Sequence, residues 1–381
     1  MLEELRKQID TIDDKIAALY LERQNIVRQI GEEKAANRTA LADPSREKKI
    51  IARVTKQADD SQKMYLKRVF ETIMETSRSY QRQIVTPSTP LTDALHRVLM
   101  EGKKYFPVSS SVACQGVEGS YSSIAADKLF EIADITYFRN FEGVFQAVEK
   151  GLCDYGVLPI ENSAAGSVGA VYDLMKKHNF YIVRSVKLRV CHYLLARKGA
   201  TLAGIREVYS HEQAISQCSE FLQSLGANVK VIPCANTAVA AEKVASSDRT
   251  DIACISSRDC ADIYGLGILQ GNVQNNASNY TRFICISKNL EIFAPAGRIS
   301  IMMTLPHESG SLNRVLNKFS TLGLNLTKLE SRPLPGTDFE FLFYFDFEGR
   351  IEDADTLALI AELDQGSDQF TFLGSYAEVT Q

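Results

Sequence analysis

The 381-residue sequence has no long apolar run; nothing in it approaches the roughly 20 consecutive apolar residues of a membrane-spanning helix. It also lacks a strong charge of one sign. Its 43 Lys and Arg against 47 Asp and Glu leave a formal net charge of −4, which gives no reason to expect nucleic acid or a membrane surface as partner. No two of the eight cysteines (Cys114, Cys153, Cys191, Cys218, Cys234, Cys254, Cys260, Cys285) form a C-x-x-C pair. Most lie in or beside apolar runs, where free thiols behave as small core residues. The five histidines are scattered, so no metal site is visible. The sequence opens on a charged amphipathic stretch and not on a signal peptide. A cytoplasmic protein without structural disulfides is therefore expected, long enough for two or three domains with real cores.

What is present begins with a helix over Leu2 to about Lys34. Leu2, Leu5, Ile9, Ile12, Ile16, Leu19, Ile26 and Ile30 alternate spacings of three and four, a heptad seam. Arg23 stands where the seam asks for an apolar residue. A guanidinium there costs several kcal/mol, roughly, unless paired, so it either sets register or binds an anion. Asp43-Pro44 suits the cap and first position of a second helix, with Ile50, Ile51 and Val54 inward and Arg46 and Glu47 one turn earlier. A third helix, about Ser61 to Ile84, carries Leu66, Phe70 and Ile73 and then Ser77 and Gln81 on its apolar face.

Three such helices cannot bury their stripes as a monomer, and pairing of the first helix with a second copy is expected. The interior then holds Arg23, Lys34, Arg46, Glu47, Ser77 and Gln81, with Arg6 reaching the partner's site. These cations call for a small molecule with more than one carboxylate. Glu47 would accept from a hydroxyl. Lys34 and Gln81 could donate to a neutral oxygen that gains charge. No nucleophile is evident.

Residues 1–85 resemble the all-helical chorismate mutases through L-R-K-Q-I-D at Leu5–Asp10, E-R at Glu22–Arg23, Lys34, D-P-S-R-E at Asp43–Glu47 and S-x-x-x-Q at Ser77–Gln81. The resemblance implies Arg6 (from the other subunit), Arg23 and Arg46 on the carboxylates of chorismate. It puts Lys34 and Gln81 on the ether oxygen and Glu47 on the ring hydroxyl, with Asp43 and Ser77 lining the same site. Glu32 and Glu33 are expected to face solvent.

Thr86-Pro87-Ser88-Thr89-Pro90 reads as a linker, and residues 86–107 as linker plus a short helix. From Val108 strands and helices alternate, an α/β grammar. Ligands of open α/β sheets bind at the carboxyl ends of strands, where polar clusters recur: Ser120-Tyr121, Glu161-Asn162-Ser163, Gly166-Ser167 and Ser210-His211-Glu212-Gln213. Gly265-x-Gly267 has the wrong spacing for a dinucleotide fingerprint, and Ile215 stands where H-E-x-x-H needs its second histidine.

Residues 108–290 resemble prephenate dehydratases through G-V-E-G-S-Y-S, D-Y-G-V-L-P-I-E-N-S-A-A-G-S-V, S-H-E-Q-A-I-S-Q-C, N-T-A-V-A-A and T-R-F at Thr281–Phe283. The resemblance implies a two-lobed fold like the type II periplasmic binding proteins with an interlobe site. Thr281 would donate to the leaving hydroxyl and Arg282 would bind a carboxylate. Ser120, Tyr121, Glu161, Asn162, Ser163, Ser210, His211, Gln213 and Phe283 would line the cleft.

Ala294-Pro295-Ala296-Gly297 reads as a second linker, and residues 297–381 as a β-α-β-β-α-β, ferredoxin-like α+β domain. Gly310-Ser311-Leu312 and Glu330-Ser331-Arg332-Pro333 resemble the phenylalanine-binding motifs of ACT domains, the first commonly G-A-L. The whole chain thus resembles the bifunctional chorismate mutase/prephenate dehydratases. That implies chorismate and prephenate as substrates, L-phenylalanine as feedback effector, no cofactor, and a homodimer or homotetramer. A receptor-like binding module and a helical scaffold are the alternatives from other classes.

Overall fold

The computed structural model describes residues 1–37, 43–85, 89–334 and 341–380. The loop expected over 37–42 falls outside these from residue 38 on, as do Thr86, Pro87 and Ser88 of the expected linker. The chain divides into two compact units, residues 1–94 with 357–366, and residues 95–356 with 367–381.

In the first unit, helices α1 (Leu2–Asn37), α2 (Pro44–Thr55) and α3 (Lys63–Val85) follow the expected boundaries to within a few residues. The α3 helix packs against both α1 and α2. Asp43 starts α2 as expected: its side chain accepts from the Arg46 backbone N–H at 2.9 Å, with Pro44 at the first helical position. Val27, Gly31, Val54, Met74, Ser77 and Gln81 form the buried interior. The described residues leave the seam on α1 uncovered. Leu2, Leu5, Ile9, Ile12, Ile16, Leu19, Ile26 and Ile30 are all exposed, from 41 % at Ile30 to 65 % at Leu19. Glu32 and Glu33 face solvent, as expected.

Helix α4 (Pro90–Glu101) crosses the boundary in sequence. The second unit then runs β1 (Ser109–Gln115), α5 (Tyr121–Leu129), β2 (Ile132–Phe138), α6 (Phe141–Glu149), β3 (Tyr155–Asn162), a two-residue β4 (Gly166–Ser167), α7 (Gly169–Met175) and β5 (Tyr181–Arg189). A first crossing leads to β6 (Tyr193–Ala196), β7 (Glu207–Ser210), α8 (Glu212–Gln217), α9 (Ser219–Ser224), β8 (Lys230–Pro233), α10 (Thr237–Ala245), β9 (Ile252–Ser256), α11 (Asp259–Ile263) and β10 (Gly267–Gln270). A second crossing returns the chain to β11 (Tyr280–Ser287).

This makes two α/β lobes. One sheet contains β5-β11-β3-β1-β2, and the other is β10-β6-β9-β7-β8. Each lobe has its own apolar interior: Val112, Val157, Val186 and Phe283 in the first, Leu194, Val208, Ala253 and Ile255 in the second. The two crossings are tied by Val190 N–H to Asn279 C=O at 2.8 Å and Val273 N–H to His192 C=O at 2.9 Å. The cysteines are free, and most are buried in these interiors. Desolvation pushes the Cys218 thiol up to about 12, so it packs as an inert apolar group.

The tail follows as β12 (Arg298–Thr304), α12 (Ser311–Thr321), β13 (Leu326–Pro333), β14 (Phe341–Glu348), α13 (Ala354–Gln365) and β15 (Phe370–Val379), the expected β-α-β-β-α-β order. Its strands run β13-β14-β12-β15 and continue into the first lobe, because Ala377–Val379 pair in parallel with Arg184–Val186. Gly374 lies at this splice with φ 152, and a Cβ there would meet the Ile182 carbonyl at 2.1 Å. Only glycine allows that approach.

Candidate active sites

In the helical unit the structure brings Arg23, Ser77 and Gln81 together between α1 and α3. Arg23 is half-buried and donates to the Ser77 hydroxyl, which itself donates to the Ile73 carbonyl at 2.6 Å. Desolvation pulls the Arg23 guanidinium below its ordinary value. Gln81 is buried, and its amide donates to the Val27 carbonyl at 3.2 Å. Glu47, on α2, is ion-paired with Arg78 on α3. Lys34 is half-buried, whereas Arg6 and Arg46 are exposed. Asp43 spends its carboxylate on the α2 cap.

A cavity of about 520 Å³ lies between the two α/β lobes, within the range of small-molecule sites. Of the residues expected there, Ser120, Tyr121, Asn162, His211, Gln213, Thr281 and Phe283 line it. Ser120 caps α5, His211 caps α8 and Asn236 caps α10, so helix N-termini from both lobes open onto the cavity. Among the described residues, no lysine, arginine, aspartate or glutamate belongs to the lining. Backbone N–H groups, the positive ends of helix dipoles and the hydroxyl, amide and imidazole groups of the lining are therefore the donors available to an anion.

Thr281 sits on β11 opposite Asn162 on β3. Its hydroxyl oxygen accepts from Asn162 Nδ2 at 2.9 Å. Among the described residues no acceptor takes the Thr281 hydroxyl proton.

Arg282 lies on the other face of β11. It is 2 % exposed, is not part of the cavity wall, and is ion-paired with Asp346 of β14. Its Nε lies 2.9 Å from Glu161, a distance for an ion pair, although that N–H is not aligned as a hydrogen bond. Glu378 of β15 is 4.0 Å away. Burial opposes the charge on Arg282. The Asp346 carboxylate, helped by Tyr376, Tyr344 and Glu161, reverses that and lifts its pKa above the ordinary arginine value.

Family models for chorismate mutase type II and prephenate dehydratase match residues 5–82 and 112–291. The bifunctional chorismate mutase/prephenate dehydratase of Escherichia coli is 30 % identical over 381 residues, covering 98 % of this chain and 95 % of that protein. The chain belongs to the bifunctional chorismate mutase/prephenate dehydratase family. It rearranges chorismate to prephenate and converts prephenate to phenylpyruvate. The arogenate dehydratase/prephenate dehydratase 2 of Arabidopsis thaliana is 35 % identical over 315 residues, 80 % of this chain and 81 % of that one. The prephenate dehydratase of Arthrobacter aurescens, solved with L-Phe, superposes with a TM-score of 0.64 at 27 % identity, covering 70 % of this chain and 90 % of that one.

Within this family member, four expected dehydratase residues do not reach the cavity. Arg282 is held by Asp346, and Glu161 turns the same way to Arg282 and, at 3.1 Å, Lys328. Ser210 is fully buried and donates to the Ile255 carbonyl at 2.7 Å. The Ser163 hydroxyl lies on the Tyr280 backbone N–H at 2.9 Å and serves the turn after β3. In the mutase part Arg78, and in the dehydratase part His192, Gln217, Asn236 and Thr237, were not singled out from the sequence. The N-T pair and the glutamine stand inside the quoted motifs, so a signal existed for them; His192 follows a strand with no such mark.

The C-terminal motifs lie where expected. Gly310 has φ 84 before α12 and Ser311 is buried at its start. Leu312 follows in α12. On β13, Glu330 accepts from Ser167, a cavity residue, at 2.8 Å. Arg332 is paired with Asp173 at 3.0 Å and donates to the Gly169 carbonyl. In this structure Glu330 and Arg332 thus join β13 to the first lobe, with Ser331 and Pro333 on the same strand.

Proposed function

We propose that Arg23, Lys34, Arg46 and Gln81, with Arg6 from a second copy, bind chorismate, and that Thr281 is the hydrogen-bond donor of the dehydratase step. The apolar seam left uncovered on α1 supports the second copy. Pairing through it would bury the seam and bring Arg6 to the partner's site. The mutase reaction breaks one C–O bond and forms one C–C bond within chorismate. Its catalysis is the holding of the reactive conformer and donation to the departing ether oxygen. Gln81 and Lys34 supply those donors. The Gln81–Val27 and Arg23–Ser77 bonds hold Gln81 and Arg23 in place before substrate arrives.

In the dehydratase step the ring carboxylate leaves as carbon dioxide. Its bonding pair enters the ring and the ring hydroxyl departs, taking a proton to become water. The single observation that carries the assignment is that Thr281 accepts from Asn162 and keeps its own proton for the cavity. The remaining carboxylate is held by N–H groups at the starts of α5 and α10. L-phenylalanine, bound by the Arthrobacter aurescens relative, is read as the feedback effector of this chain through Gly310–Leu312 and Glu330–Pro333.

One assay tests these roles. Given only chorismate, the purified protein should release phenylpyruvate. Thr281→Ala should accumulate prephenate, and Arg23→Ala should leave chorismate untouched. Unchanged phenylpyruvate release by Thr281→Ala would remove Thr281 from the chemistry.

A further inference from the structure

We infer that Asn279 and His192, on the two crossings between the lobes, are positioning residues that fix the direction of the Thr281 hydroxyl through a chain of hydrogen bonds with one sense. This rests on the reading of Thr281 as donor. The sense of the chain is set at its backbone end. The N–H groups of Ala164 and Ala165 donate to Asn162 Oδ1 at 3.0 and 2.8 Å. Backbone N–H groups can only donate, so Nδ2 of Asn162 must face the other way. There it donates to Thr281 Oγ1 at 2.9 Å and to Asn279 Oδ1 at 2.8 Å, with the Tyr280 carbonyl a longer third acceptor at 3.3 Å. With its oxygen so occupied, Asn279 turns Nδ2 to Gln217 Oε1 at 3.1 Å. The same oxygen lies 3.0 Å from His192 Nε2. An oxygen there requires an N–H, so His192 carries its proton on Nε2. Its Nδ1 is buried without a partner among the described residues.

Asn162, Asn279 and His192 are buried, which strengthens the bonds they make, while Gln217 and Thr281 are half-buried on the cavity wall. The chain also needs Gln217, which α8 of the second lobe supplies, whereas Thr281 and Asn162 belong to the first. The Asn279–Gln217–His192 part of the chain therefore spans the two lobes, and it adds to the hold that Ala164 and Ala165 already place on Asn162 from the first lobe.

The test is a double-mutant cycle on the full-length protein with prephenate as substrate. Asn279→Ala should lower the dehydratase kcat about tenfold, a modest part of what a positioned proton donor contributes, with KM within about twofold. In a Thr281→Ala background the same change should cost nothing further, because Asn279 acts only through Thr281. A merely structural role would give additive losses, and additivity or an unmoved kcat overturns the inference. A second readout is the tautomer of His192, read from ¹⁵N shifts in histidine-labelled protein. An Nε2–H imidazole in the unmutated protein that is lost in Asn279→Asp is the result expected, since a carboxylate there cannot donate to Gln217. An Nδ1–H imidazole in the unmutated protein would overturn the chain's direction. Where the Thr281→Ala rate is too low to divide, the tautomer and the single-variant kcat decide. If Thr281→Ala kept its rate, the Thr281 reading would fail. If it lost its rate while Asn279→Ala kept it, only the present inference would.

Discussion

Arg282 offers the sharpest division between two roles, because the family motif puts it beside Thr281, the proposed donor, and the structure turns it away. Arg282→Met would remove a cation shared by three carboxylates: Asp346, which is fully buried, Glu378 and Glu161. Among the described residues, Asp346 would keep the Ser300 hydroxyl as its side-chain donor. Breaking a buried pair by removing one partner costs about 3–5 kcal/mol, most of it the charge left behind. For a unit of this size that is a fall in melting temperature on the order of 10 °C. Arg282→Met/Asp346→Asn should recover a large part of the loss, since the stranded charge is then gone, and the cycle should give a coupling of about 2 kcal/mol or more. The assay is thermal melting of the two single variants and the double variant alongside prephenate kinetics. A structural pair predicts the stability loss with prephenate KM within a few-fold. If Arg282→Met melted like the unmutated protein while KM rose about a hundredfold, a loss of about 2.7 kcal/mol of binding, Arg282 would be a substrate ligand and its assignment to the Asp346 pair would be refuted.

Two further outcomes follow from other parts of the molecule. Ile16→Glu, placed in the exposed α1 seam, should halve the particle mass in analytical ultracentrifugation and abolish mutase turnover; an unchanged mass would show that the seam is not the interface between copies. His192 is pulled below its ordinary value by desolvation, partly offset by its bond to Gln217. The native state therefore favours the neutral ring, while the unfolded chain takes up a proton near pH 6.5, roughly. The corresponding stability is present above about pH 6.5 and is lost as pH falls through the lower native value. Urea midpoints should drop more between about pH 7 and about pH 5.5 for the unmutated protein than for His192→Gln, and equal drops would exclude His192 as the source.

Most of the fold was legible because its signals are local. The α1 seam, the Asp43-Pro44 start of α2 and the β-α-β-β-α-β tail rest on periodicity and capping, which neighbouring residues decide. Elements such as β4, α7, α11 and β10 have seven residues or fewer. Segments that short carry too few periods to stand out, and they form because the lobes around them supply partners. The helical stretch after His211 is split at Cys218, whose backbone ends α8 outside the helical region. Nothing in the apolar spacing marks that break.

The candidate sites were legible as motifs but not as directions. A motif says which residues are near a site; it does not say which way each one faces. Arg78 escaped because its partner Glu47 lies 31 positions away, and Asp346 because it belongs to a different region from Arg282 altogether. Yet one rule was available. Side chains alternate across a strand, so in Thr281-Arg282-Phe283 the outer two share one face and the arginine takes the other. Likewise Glu161 and Asn162 on β3 must part. The structure follows this: Thr281, Phe283 and Asn162 line the cavity, and Arg282 and Glu161 meet on the reverse of the sheet. That reverse side is where Asp346 of β14, Lys328 of β13 and Glu378 of β15 come in. The same two strands thus carry Thr281, the proposed donor, on one face and, on the other, the charges that tie on the C-terminal sheet. A displacement of that sheet would reach Thr281 through a single peptide unit.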